Sequence, residues 1–96
     1  MTINITVLLE SKEEFTEKLK ELFEGLVVKS REEAGCIQYD LHQNIENPQA
    51  FILHEVWENK DIFDRHNSQQ YVKDFFAATP TLLKAEPKIY FTTKLA

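Results

Sequence analysis

Cysteine occurs once in this sequence, glycine twice and proline three times. A single thiol, Cys36, cannot close an internal disulfide, and no second Cys or His stands at metal-finger spacing from it. Cys36 is therefore expected as a small buried apolar residue in a reducing compartment. Two glycines are too few for a phosphate-cradling loop, which argues against a nucleotide cofactor. "HNSQQY" lacks the second ligand of a zinc-binding helix, and there is no elbow motif for a nucleophilic serine. Neither a metal site nor serine hydrolysis is expected.

Basic charge is scarce too, with 11 Lys and Arg against 16 Asp and Glu and a formal net charge of -5. Nucleic acid and anionic membrane surfaces attract clustered cations, so neither is an expected partner. No apolar run approaches the length of a bilayer span. Met1 leads directly into "TINITVLLESKEEF" without a basic and then apolar leader, which makes the cytoplasm the expected location.

What is present is an ordinary globular mixture, 43% hydrophobic and 28% charged, sized for one domain over residues 1–96. "TINITVLL" alternates, with Ile3, Ile5, Val7 and Leu9 on one face and Asn4, Thr6 and Leu8 on the other, and reads as a strand. "SKEE" predicts a capping box between Ser11 and Glu14 that starts a helix. Phe15, Leu19, Leu22, Phe23, Leu26 and Val27 form its apolar stripe. Gly25 interrupts that helix and reads as tolerated there. Gly35 suits a left-handed cap, so the helix is expected to stop near Ala34.

"CIQYDLHQ" and "FILHEVW" alternate again around the turn residues of "NIENPQA" and predict a hairpin. Asn59 is a candidate helix cap before Ile62, Phe63 and His66. A second helical start at Ser68 brings in Tyr71, Val72, Phe75 and Phe76, and Pro80 breaks the run. "KIYFTTKL" reads as a fourth strand. The order is βαββαβ, an α+β fold of the ferredoxin-like kind with a four-stranded antiparallel sheet and its helices on one face. The other face then needs a cover for Leu8, Ile52 and Val56, and a homodimer joined through sheet faces would supply one.

Polar residues mark the candidate site. Side chains alternate along a strand, so Phe51, Leu53, Glu55 and Trp57 share a face, while Ile52, His54 and Val56 take the other. Trp57 at the strand end and His66 from the next helix are expected to converge on a pocket with Tyr71 and with Asn4 or Thr6, an aromatic wall with a few polar groups suited to a planar organic ligand. Glu55, Phe51, Tyr39 and Phe63 complete the candidate lining. Ordinary roles compete at each position: core packing for Trp57 and Tyr39, a salt bridge for Glu55, a loop cap for His66. His54 reads as a sheet-face or interface residue.

The run "EEAGCIQYDLHQNIENPQAFILHEVWENKDIFDRHNSQQYVKDF" resembles the antibiotic biosynthesis monooxygenase domain family. The likeness rests on Gly35-Cys36 after an acidic helix end, on Tyr39, on the Phe51, Leu53, Glu55, Trp57 alternation, and on His66 nine residues beyond Trp57. The resemblance implies a ferredoxin-like monomer that pairs through its sheets into a dimeric α+β barrel. It also implies a range of activities: metal- and flavin-free oxidation of quinols and anthrone-type phenols, haem degradation, isomerisation, and roles without assigned chemistry.

Many members of that family carry a second histidine where this chain has Tyr71. Haem-degrading members use an Asn, Trp and His trio, for which this chain offers Asn4 or Thr6, Trp57 and His66. The resulting expectation is a cofactor-independent monooxygenase acting with molecular oxygen on a small quinol, anthrone or polyphenol. His66 would be the base, Trp57 and Tyr71 would hold the ring, Asn4 or Thr6 would donate a further hydrogen bond, and Glu55 would orient a neighbour. A haem-binding or haem-degrading protein and a non-catalytic dimeric binding module are the alternatives.

Overall fold

The computed structural model describes residues 1–96. Four strands, β1 (Ile3–Glu10), β2 (Cys36–Gln43), β3 (Ala50–Trp57) and β4 (Lys88–Thr92), form one antiparallel sheet in the order β2-β3-β1-β4. Helices α1 (Thr16–Arg31), α2 (Lys60–Asn67) and α3 (Gln70–Ala78) cover one face. This is the predicted α+β, ferredoxin-like arrangement. No helix is long and apolar enough to cross a membrane.

Strand alternation decides what the helices bury. Ile5, Val7 and Leu9 of β1 and Phe51, Leu53 and Trp57 of β3 form one layer of the core, and Leu19, Phe23, Leu26 and Val27 of α1 pack onto it. β1 and β3 are in register, with Ile5 opposite Glu55 and Ile3 opposite Trp57. The reverse face carries Leu8, Ile52, Val56 and Tyr90 among polar residues, and there Thr6 Oγ1 lies 3.3 Å from His54 Nδ1.

Several local expectations change. Ser11 does not cap α1, because its amide continues the strand pattern by bonding Gln49 O at 2.9 Å and its hydroxyl meets Thr16 Oγ1 at 2.9 Å. The helix begins instead through a short 3-10 turn, Glu13–Phe15. It ends at Arg31, four residues before Gly35, whose φ of +90° lies in the left-handed region. Asn59 does cap α2, its Oδ1 accepting from the Ile62 amide at 2.9 Å. Ser68 closes α2 by donating to Arg65 O and does not open α3. Cys36 packs against the core but stays partly exposed, so it is not the fully buried residue expected.

Candidate functional site

Trp57 ends β3 with its ring fully buried, and its Nε1–H donates to Glu55 Oε1 at 2.8 Å. The two residues share a face because they are two apart on a strand. His66, in the last turn of α2 and 2% exposed, lies against Trp57 with ring centroids 4.2 Å apart. Tyr39 of β2 closes a third side, 5.8 Å from the His66 ring and 6.2 Å from Trp57. Phe63 lies one helical turn before His66, at 6.4 Å, and continues to the exposed Phe91 of β4 at 5.9 Å.

His66 makes its firmest polar contact with a residue that sequence reasoning had passed over. Its Nδ1 lies 2.6 Å from Glu33 Oε2, while Nε2 is 3.9 Å from Glu55 Oε1. The Tyr71 hydroxyl, from the first turn of α3, donates to the same Glu33 oxygen and lies 3.4 Å from the fully buried Ser30 hydroxyl. Glu33 thus joins α1's end, α2 and α3. The sequence signal for it is the acidic helix end just before Gly35.

Burial sets the protonation of the cluster. It pushes the Glu55 carboxyl up to about 7, with the Trp57 hydrogen bond opposing only part of the rise. It pulls the His66 imidazole down, against the pull of Glu33 in the other direction, so the neutral ring is favoured. The Tyr39 and Tyr71 hydroxyls are both raised by burial and stay protonated. The Cys36 thiol is raised by burial and then by the Glu55 and Glu33 carboxylates.

Six of the nine expected site residues come together: His66, Trp57, Tyr71, Glu55, Tyr39 and Phe63. Asn4 and Thr6 do not, because they alternate with the core residues of β1 and lie on the open sheet face, where Asn4 pairs with Val56 and Thr6 with His54. Phe51 does not either. It sits six residues from Trp57 at the far end of β3, about 20 Å away at the rise of a strand, and packs on Phe23 with centroids 5.9 Å apart. The Asn, Trp and His trio of haem-degrading enzymes is therefore not assembled, and the residues present do not fit that group. Between α1 and α3 runs a cleft of about 350 Å³ lined by Leu22, Gly25, Leu26, Lys29 and Phe75, with Tyr71 shared between cleft and cluster. At Gly25 an added Cβ would meet nothing within 4 Å, which accords with its reading as tolerated.

The model of a family described as antibiotic biosynthesis monooxygenase matches residues 2–78. The chain belongs to this family. The Synechocystis protein sll1783 is 36% identical over 89 residues, covering 91% of this chain, and the chain spans 58% of that relative's length. YcnE of Bacillus subtilis, named a putative monooxygenase, is 32% identical over 81 residues, 84% of this chain and 81% of its own. Among solved structures, PA3566 from Pseudomonas aeruginosa superposes with a TM-score of 0.92 at 29% identity, covering 99% of this chain and 95% of that one. Family membership thus joins the fold to a monooxygenase description.

Proposed function

We propose that this protein is a cofactor-independent monooxygenase for a small quinol, anthrone or polyphenol, working as a homodimer. The observation that carries the reading is the buried His66 imidazole, walled by Trp57, Tyr39 and Phe63, with one ring nitrogen 2.6 Å from Glu33 and the other 3.9 Å from Glu55. Dioxygen reacts slowly with closed-shell molecules because of its spin state, so a substrate must deliver electrons singly. A phenolate does so more readily than a phenol. His66 Nε2 takes the phenolic proton, and the aromatic rings hold the electron-rich ring in a site poor in water.

For an anthrone-type carbon the balance is complete without an outside reductant. The CH2 group and O2 become a carbonyl and one water, and the substrate carbon supplies all the electrons. The rings of exposed Phe91, Phe63 and buried His66 form a row from the surface to the imidazole, the side from which a substrate would approach. The dimer is supported by the open sheet face, where Leu8 pairs with Ile52 and where Tyr90 is half exposed.

The test is oxygen uptake by the chelator-treated protein with reduced quinols and anthrones. Uptake above background that falls about 100-fold or more in His66→Ala, the range for a lost general base, is the expected result. Absence of uptake across the panel would overturn the reading, and a Soret band on haem titration that disappears in His66→Ala would then favour the haem-binding alternative.

A further inference from the structure

We propose that Glu33 is the positioning residue of this site, holding His66 with its proton on Nδ1 so that Nε2 carries the free lone pair. For its catalytic meaning this rests on the role of His66 given above; its structural content stands without it.

A buried neutral imidazole must place its one proton on one of two nitrogens, and the partner of each nitrogen decides which. Glu33 Oε2 stands 2.6 Å from Nδ1, at the short end of charge-assisted hydrogen bonds. Glu55 Oε1 stands 3.9 Å from Nε2, beyond hydrogen-bond range, and already accepts the Trp57 N–H. The choice between the two carboxylates is therefore made by distance. His66 is 2% exposed, so water does not compete strongly for either nitrogen.

The backbone around Glu33 is held as firmly as the side chain. The turn after α1 is closed by the Cys36 amide donating to Glu33 O at 3.2 Å. Arg65 Nη2 donates to Ala34 O at 3.1 Å, and the Glu58 amide donates to Gly35 O at 2.9 Å. Gly35 lies so close to α2 that an added Cβ would meet Ile62 Cδ1 and Cγ2 at 2.6 Å. The helix that carries His66 is thus docked against the turn that carries Glu33. Tyr71 adds a second donor to the carboxylate from α3. The titratable groups gathered around the ring are Glu33 from the turn, Glu55 from β3, Tyr39 from β2 and Tyr71 from α3.

The experiment is nitrogen-15 NMR of the imidazole side chains, with the His66 signals assigned by their loss in His66→Ala. His42 and His54, on the opposite sheet face, serve as internal folding controls. The intact protein is expected to show His66 protonated at Nδ1. In Glu33→Ala the Nδ1–H form gives way to a mixture. In Glu33→Gln, where an amide oxygen can still accept, the tautomer persists while the pH of His66 protonation falls by one unit or more, about tenfold in proton affinity. A His66 protonated at Nε2 in the intact protein, or a tautomer and titration unchanged in both variants, overturns the proposal. Should Glu33→Ala not fold, the intact tautomer and the Glu33→Gln titration decide. None of these readouts needs a substrate, so absent oxygen uptake would remove the proposed function and leave the positioning result standing. With uptake present, Glu33→Ala lowers kcat more than it changes KM.

Discussion

The indole N–H of Trp57 and the carboxylate of Glu55 meet at 2.8 Å inside the protein, two residues apart on one strand. Neither residue is more than 6% exposed. A carboxyl in such a place resists ionisation, and the indole opposes only part of that resistance. The pair therefore couples the protonation of the site to the stability of the fold.

Glu55 makes stability depend on pH near neutrality. Its folded-state value is about 7 against an ordinary 4.5, so between these limits the unfolded chain releases a proton that the folded protein keeps. The contribution is full below pH 4.5 and is lost as pH rises through 7. Glu55→Gln removes the dependence. Its stability relative to the parent is expected to rise by up to about 3 kcal/mol between pH 4.5 and 8, at about 1.4 kcal/mol per unit. Urea titrations of both proteins across that range check it, and parallel curves would count against the buried acid.

Trp57→Phe keeps a ring in the core but removes the donor to Glu55. The expected loss is about 1–3 kcal/mol for a buried acceptor left without its partner. It is larger at pH 8 than at pH 5, because the ionised carboxylate depends on the donor more. Equal losses at the two pH values in a denaturant titration would contradict this.

Gly35→Ala combines a left-handed φ of +90° with a contact of 2.6 Å to Ile62. Strain of this kind costs about 1–3 kcal/mol, and the clash adds to it. In an Ile62→Ala background the clash is relieved and the same substitution is expected to cost less. A double-mutant cycle with no coupling between the two positions would remove the contact from the account.

Ile52→Asp places a charge on the open sheet face opposite Leu8 without touching the helix-covered core. Sedimentation velocity is expected to show a dimer for the parent chain and a monomer for the variant, with helix content unchanged. A parent that sediments as a monomer at micromolar concentration would dispose of the proposed sheet-face dimer.

Much of the fold was legible because each element announces its period. Ile5, Val7 and Leu9 alternate, Leu19, Phe23, Leu26 and Val27 recur at helical spacing, and Asn59 caps the helix it was expected to cap, whereas Gly35 takes the expected left-handed conformation four residues beyond the end of α1. The same alternation already placed Asn4 and Thr6 off the core face. Their inclusion beside Trp57 contradicted the pattern that predicted the strand. Ser11 satisfies the capping pattern as a serine before acidic residues, yet its amide is committed to Gln49 O.

The sequence by itself determined the elements, the shared face of Glu55 and Trp57, and the nearness of His66 to that strand end, since all three follow from local periodicity and short separation. Only the tertiary structure decided that Glu33 partners His66 across 33 residues, and that Tyr71 donates to the same carboxylate across 38. Those contacts depend on how the turn at Gly35 docks against Ile62 and Arg65, and on how α3 folds back beside α1. Local spacing carries no record of such docking, because it is set by the packing of elements that lie far apart along the chain.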